Sequence, residues 1–231
     1  MSTIYLIPAP LDEDVISPIP EYILSAIRNC QVFFVEHERT TRRYFKRLDA
    51  SIVIDDYVWH NMAKVDDAVK QTFKQALKDN KTIGIVSEAG CPGIADPGQL
   101  LVEIAHQLGA VVKPLVGPSS ILLALMASGF NGQQFAFHGY LPVNTPDRMK
   151  KIKFLEDESA RKGVTQIFIE TPYRNMQMME ALMKVCQPKT RLCVAVNLTG
   201  FNEQIQTKTI SDWKKAIPDI HKQPAIFLMM G

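Results

Sequence analysis

The sequence predicts an α/β protein of two domains, with a mainly parallel first sheet and a mixed second one. Three observations carry this. Short apolar runs alternate with longer amphipathic segments along the 231 residues. A composition break at Asn131-Gly132, renewed at Gly139-Tyr140-Leu141-Pro142-Val143-Asn144-Thr145-Pro146, puts the domains at 1–130 and 131–231. Beyond the break the links between strands shorten, as antiparallel neighbours allow.

In the first half, strands are predicted at Thr3–Ile7, Val32–Val35, 51–54, 82–86 and Val111–Pro114, each a short apolar run. Helices fall between them near 19–28, 40–48, 66–79 and 98–108. In the third helix Val65, Val69, Phe73, Ala76 and Leu77 share one face, with lysines opposite. Asp96-Pro97 opens the fourth, Asp as cap and Pro in the first turn. Gly117-Pro118-Ser119-Ser120 begins a further helix over 121–127, which Gly129 ends. The second half reads as a strand at 135–138, a charged helix to about Arg161, a strand at 165–170 and a helix from Pro172. Strands at 191–197, 203–207 and Ala225–Met230 follow, with a short helix at 211–216. Met176, Met178, Met179 and Met183 fill the apolar face of the helix after Pro172.

Composition narrows the function classes. The 26 Lys and Arg nearly balance the 24 Asp and Glu, against affinity built on global phosphate neutralisation. Cys30, Cys91, Cys186 and Cys193 have neither CxxC spacing nor a His partner at zinc spacing, so disulfides, structural zinc and a metal centre are not expected. The opening residues 1–8 read as a strand rather than a signal peptide, and no segment has the roughly 20 apolar residues of a membrane span. The expectation is a soluble, reduced, cytoplasmic protein.

Four segments can carry chemistry. Ser87-Glu88-Ala89-Gly90-Cys91-Pro92-Gly93-Ile94-Ala95-Asp96-Pro97-Gly98 follows a buried strand and is far longer than the roughly 2–6 residues of an ordinary strand-to-helix link. Its small residues let backbone groups approach a ligand, and its prolines stiffen it. It is neither a phosphate loop nor a nicotinamide fingerprint. Gly117-Pro118-Ser119-Ser120 is a second loop that opens a helix, where free amides can hold an anion. Phe168-Ile169-Glu170-Thr171-Pro172-Tyr173-Arg174 ends a strand in a carboxylate; Glu170 can face a cleft between domains, or can cap the helix or pair with Arg174. Glu36-His37-Glu38-Arg39-Thr40-Thr41-Arg42-Arg43 runs from strand-end carboxylates into a basic helix, either a solvated face or a patch for phosphate or carboxylate. His60-Asn61 is a weaker signal, and a lone His there is more often structural.

In this order, the segments resemble the tetrapyrrole-methylase superfamily, S-adenosylmethionine-dependent methyltransferases with two α/β domains and the cofactor cleft between them. The match is to its branch of small-subunit ribosomal RNA cytidine 2′-O-methyltransferases. The branch's Ser-Asp-Ala-Gly-Thr-Pro-x-Ile-Ser-Asp-Pro-Gly stands here at residues 87–98, and its Pro-Gly-Pro-Ser is similar to Val116-Gly117-Pro118-Ser119. Its Phe-x-Gly-Phe-Leu-Pro is similar to Phe137-His138-Gly139-Tyr140-Leu141-Pro142, and its Tyr-Glu-Ser-Pro-x-Arg to residues 168–174. Glu36-His37-Glu38-Arg39 lies where the branch has Glu-Asp-Thr-Arg, and His60-Asn61 where it has His-Asn-Glu. Departures fall inside these segments, where Glu88 and Cys91 replace the loop's Asp and Thr, His37 the Asp after Glu36 and Met62 the Glu after Asn61, and beyond them as well. Pro10-Leu11-Asp12-Glu13-Asp14 replaces Pro-Ile-Gly-Asn-Leu, Asn197-Leu198-Thr199-Gly200 replaces Glu-Leu-Thr-Lys, and the branch's small C-terminal extension is missing.

The resemblance implies that S-adenosylmethionine is held by Pro10, Ser87, Glu88, Ala89, Gly90, Cys91, Pro92, Ile94, Ser119, Ser120, Thr171, Pro172, Leu198 and Thr199. A weakly acidic ribose hydroxyl needs a base or strong acceptor, for which Glu36, Glu38 and Glu170 are the unranked candidates. Arg39, Arg42, Arg43 and Arg174 would bind substrate, either ribosomal RNA phosphates or a small anionic molecule. The expected function is 2′-O-methylation of ribosomal RNA ribose by a homodimer. The alternatives are methylation of a tetrapyrrole-like molecule, or a module that binds the cofactor without transfer.

Overall fold

A computed structural model of the protein describes residues 2–231. The chain divides into two compact units, the first ending at Ser119 and the second running Ser120–Gly231.

The first unit is built on β1 (Thr3–Ile7), β2 (Val32–Val35), β3 (Val58–Asn61), β4 (Ile83–Val86) and β5 (Val111–Pro114), ordered β3-β2-β4-β1-β5 with every neighbour parallel. Alternation along the strands feeds two cores. Phe33, Val35, Ile7 and Val86 pack with Ile23 and Ile27 of α1 (Ile23–Asn29) and with Tyr44 and Phe45 of α2 (Glu38–Leu48). On the other face Phe34, Ile4, Ile83 and Ile85 pack with Phe73 and Leu77 of α3 (Asp67–Lys78) and with Leu101 and Ile104 of α4 (Gly98–Gln107). Strands buried on both faces explain why β2 and β4 are uninterrupted apolar runs.

The third strand is displaced from its predicted place. Residues 51–54 pair with no strand: the Asp49 carboxylate takes the Ser51 N–H at 2.8 Å, Ile52 turns into the core, and a 3-10 turn starts at Ile54. The strand is instead Val58–Asn61, paired to β2 at the sheet edge, where half-exposed side chains blur the apolar signal. His60 packs at a tilt against Phe34 with ring centroids 4.9 Å apart, and burial lowers its pKa, which fits a structural role. The first helix starts at Ile23 rather than 19, and α2 starts at Glu38, with His37 accepting the Thr40 N–H.

The second unit holds α5 (Ser120–Ser128), β6 (Phe135–Tyr140), α6 (Thr145–Lys162), β7 (Thr165–Ile169), α7 (Asn175–Val185), β8 (Arg191–Val196), β9 (Gln204–Thr209), α8 (Ile210–Trp213) and β10 (Ala225–Met230). Its sheet is ordered β6-β7-β10-β8-β9; β6 and β7 are parallel and the other pairs antiparallel, so the sheet is mixed. Phe168 stacks on Phe227 in a core that takes in Met178, Met179 and Met183, the filler role predicted for them.

Helix α5 sits in this unit, whereas the composition break placed it in the first domain. Its neighbours are β8, β9 and β10, and Thr207 Oγ1 donates to the Ser128 carbonyl at 2.9 Å. The break marks only the end of the helix, where Gly129 takes φ 72°.

The four cysteines are free. Burial alone pushes the Cys30 thiol up to about 12, and Cys186 reaches about 12 chiefly for the same reason.

Gly84 is the tightest point of the first sheet. It pairs with Phe33, and a Cβ there would run into that ring, itself wedged among Phe45, Tyr57 and Trp59. Gly84→Ala is expected to cost about 1–3 kcal/mol by overpacking, read as a lower midpoint in chemical denaturation; an unchanged midpoint would show that the ring moves freely.

Candidate cofactor and substrate site

In the first unit the sheet itself defines a crevice. Strands β1 and β4 are neighbours, yet α1 follows β1 onto one face and α4 follows β4 onto the other. Chain reversal of this kind opens a gap at the carboxyl edge, where ligands collect in parallel sheets.

The loops around that gap are fastened to each other through backbone. The Ala9 N–H donates to the Gly90 carbonyl at 2.9 Å, and the Gly90 N–H returns to the Ala9 carbonyl at 3.0 Å. Gly90 has φ 74°, a conformation that side chains rarely take. A second fastening joins the loop after β5: Cys91 Sγ lies 3.5 Å from the Pro118 carbonyl, and Gly117 packs so closely on Pro8 that a Cβ there would overlap the ring. The first unit thus gathers Pro10, Ser87, Glu88, Ala89, Gly90, Cys91, Pro92, Ile94 and Ser119 at one edge.

Asp96 shapes the rest of the loop. Its carboxylate accepts the Gly93 N–H at 2.7 Å and the Gly98 N–H at 2.6 Å, which folds residues 93–98 back on themselves. Burial raises its pKa, with the amide hydrogen bonds pulling the other way. The sequence identified this residue only as a helix cap; two backbone amides, of Gly93 and Gly98, left no side-chain pattern to read.

Glu36, at the end of β2, is the carboxylate that reaches this edge. Its Oε1 accepts the Glu88 N–H at 2.8 Å, and its own carbonyl is held by Asn61 Nδ2 at 3.1 Å. Burial is the largest influence on it and raises its pKa; the Glu88 hydrogen bond opposes this, while Asp96 and Glu88 add to the rise. Glu38, expected beside it at the strand end, lies in the first turn of α2 and is ion-paired with Arg42. Arg42 also sits 5.2 Å from the Trp59 ring centre. Arg43 pairs loosely with Glu13 at 3.7 Å, and exposed Arg39 has no ion pair among the described residues.

The second unit carries its own strand-end group. Glu170 is fully buried as a side chain; its Oε1 accepts from the Thr171 N–H at 2.7 Å and from Arg174 Nη2 at 2.6 Å, while Oε2 is buried with no partner among the described residues. Arg174 is therefore engaged by Glu170, the pairing weighed from the sequence. Beyond β8, Asn197 and Thr199 have φ 50° and 67°, a strained state for a β-branched residue, and Leu198 is buried between them. Asn197 Nδ2 donates to Gln223 Oε1 at 2.8 Å, and Asn175 Nδ2 to the Gln223 carbonyl at 2.6 Å, which ties the ends of β7 and β8 together. Ser120 opens α5, and Thr171 and Pro172 lead into a 3-10 turn. Asn175 and Gln223 are organising residues whose roles carried no signal in the sequence, because amide side chains are commonplace in loops; Asn61 was marked there only as part of the weaker His60-Asn61 signal.

The family model of tetrapyrrole (corrin/porphyrin) methylases matches residues 19–213. The chain belongs to this family. It is a methyltransferase, as the ordered motifs implied. Relatives called ribosomal RNA small subunit methyltransferase I include that of Vibrio cholerae, 29% identical over 90% of this chain and 69% of its own length. That of Bacillus subtilis is 29% identical over 92% and 69%, and that of Escherichia coli O157:H7 25% identical over 99% and 77%. Among solved structures, a cobalt precorrin-4 methyltransferase aligns with TM-score 0.65 at 15% identity over 99% of this chain and 94% of its own. The methyltransferase CobJ aligns with TM-score 0.63 at 17% identity over 100% and 93%. These likenesses show the two-sheet α/β fold.

The raised Glu36 pKa has a stability consequence. A carboxyl that holds its proton more tightly when folded favours the native state below its unfolded pKa, and that contribution is lost as pH rises through the folded value. Glu36→Gln keeps an acceptor for the Glu88 N–H and removes the charge. It is expected to raise the thermal midpoint at about pH 8, with the gain fading towards about pH 4; a loss at about pH 8 would show that the charged form is the favoured one.

Proposed function

We propose that the chain is an S-adenosylmethionine-dependent methyltransferase that 2′-O-methylates a ribose of ribosomal RNA. The observation that carries the cofactor assignment is the backbone-stitched edge of the first unit, Ala9 to Gly90 and Cys91 to Pro118. The Ala89 and Cys91 N–H groups make no hydrogen bond among the described residues, so the edge fits a compact polar ligand that needs amide donors at close range. Ser87, Glu88, Ala89, Gly90, Cys91, Pro92, Ile94, Ser119 and Pro10 would hold it from this unit. The family resemblance adds Ser120, Thr171, Pro172, Leu198 and Thr199 as cofactor contacts. The cofactor supplies a methyl group on a sulfonium, open to in-line displacement by a hydroxyl oxygen.

The protein's part is positioning and proton management. The loop is rigid before any ligand arrives, because Asp96, the Ala9–Gly90 pair and the prolines fix its backbone. Of the three carboxylates, Glu36 is the candidate base. It keeps one oxygen outside its hydrogen bond to Glu88, and its pKa, raised chiefly by burial, makes it a better proton acceptor than an ordinary carboxylate. Glu38 and Glu170 are neutralised by Arg42 and Arg174. The RNA substrate is supported by the names of relatives that the chain covers over two thirds or more of their length. The cytoplasmic homodimer belongs to this reading through the family resemblance alone; no described helix is long and apolar enough to cross a membrane.

Saturating S-adenosylmethionine, at about 100 times its dissociation constant, is expected to stabilise the fold by about 2.7 kcal/mol; no shift with it or with its demethylated product would overturn the cofactor assignment. Nucleoside mass spectrometry of ribosomal RNA from a deletion strain is expected to lack one 2′-O-methyl mark, and unchanged RNA would point to a small-molecule acceptor. With the active protein, Glu36→Gln is expected to lower kcat about 100-fold or more while leaving cofactor affinity near that of the parent. Equal loss in both would make Glu36 a loop anchor only.

A further inference from the structure

Helix α2 carries five cations, Arg39, Arg42, Arg43, Lys46 and Arg47, on eleven residues. Its buried side is anchored beside the β1 loop, where the Tyr44 hydroxyl donates to the Pro8 carbonyl at 2.9 Å. The cationic face therefore borders the stitched edge of the first unit. That face already has counter-ions of its own.

The loop after Pro10 turns back over the helix. Asp12 Oδ1 accepts the Asp14 N–H at 2.8 Å and sets the turn. Arg47 Nη2 then clamps the loop by donating to the Asp14 carbonyl at 2.7 Å. With the backbone so held, the Asp14 carboxylate lies 3.8 Å from Arg47 and the Glu13 carboxylate 3.7 Å from Arg43. The side chains of Glu13 and Asp14 are 68% and 79% exposed. Loose pairs between such exposed groups add little to stability, roughly 0–1 kcal/mol each. Two carboxylates held beside two guanidiniums by a backbone clamp do something else: they give the cationic face anions of its own, which an incoming anion must displace to reach Arg43 and Arg47.

We propose that Glu13 and Asp14 are built-in competitors of RNA phosphates on helix α2, so that Arg43 and Arg47 are released only to a strand that supplies at least two phosphates together. This rests on the reading of the substrate as RNA. Displacing both carboxylates costs a single anion more than it returns, whereas a polyanion recovers the loss through its neighbouring phosphates and through counter-ion release. Arg39, which has no ion pair among the described residues, would make the first contact. The loop thereby screens the helix against lone anions and short fragments.

The test is fluorescence anisotropy of a labelled single-stranded RNA of about twenty nucleotides with the full chain, its Glu13→Gln/Asp14→Asn variant, its Arg43→Gln/Arg47→Gln variant and the fourfold combination. Thermal midpoints check folding. The acid-free variant is expected to bind about three- to tenfold tighter than the parent at about 50 mM salt, with the gain gone at about 300 mM. In the arginine-free background, removing the acids is expected to change nothing. Equal or weaker binding by the acid-free variant overturns the proposal while leaving the RNA reading intact. A gain of the same size without the arginines also overturns it, since net charge alone would then be acting. RNA binding by neither parent nor acid-free variant, with the cofactor-induced thermal shift preserved, removes the RNA reading and the proposal together.

Discussion

Two backbone hydrogen bonds between Ala9 and Gly90 are the constraint on which the first unit's site depends. Strands β1 and β4 part company at their carboxyl ends, because the chain leaves them for opposite faces of the sheet. Left to themselves the two following segments would diverge. The bridge holds them side by side past the last strand residue, and the left-handed Gly90 makes the geometry attainable. Once the loops are joined, the rest follows locally. Cys91 reaches the Pro118 carbonyl, Pro8 packs against Gly117, and the Glu88 amide comes within range of the carboxylate at the end of β2. Backbone defines this edge, which is why its residues are small and why side chains matter there chiefly as fasteners.

Carboxylates are treated in three distinct ways. Asp96 is spent on loop amides, and Glu170 is locked onto an arginine with one oxygen buried and unpartnered. Glu36 combines partial burial, a single amide donor and acidic neighbours, and burial first of all raises its pKa. Its placement comes from β2 lying next to β4, an adjacency that only the folded sheet reveals.

The fold class, the parallel and mixed sheets and most elements were legible from periodicity, since β2, β4 and the helices covering them are buried on well-defined faces. Where burial is partial, the pattern failed. The edge strand β3 was mistaken for the apolar residues just before it, because Ile52 fills the core without pairing. The domain boundary fell too late because the glycine-marked end of α5 was a stronger local signal than its packing against β8, β9 and β10. The candidate ligand loops stand out in the sequence because the one at 87–98 is too long for a connector, and the order of the motifs matched the family. What reading residues could not supply was pairing across the chain: Glu13 with Arg43, Asn175 and Asn197 with Gln223. Such partners lie at separations set by topology, and each residue type is too common to announce itself.

The thiols have a practical consequence. Cys30, Cys186 and Cys193 lie inside the cores, where burial keeps them protonated and therefore slow to react. Cys91 is half-buried and joins two loops rather than two layers of a core. A thiol reagent applied to the native protein thus meets a graded set of sulfurs. Labelling at Cys91 tracks the parting of the loops around the ligand edge, and labelling at the other three tracks loss of the fold. The chain carries its own chemical stopwatch for telling a loosened site from a melted domain.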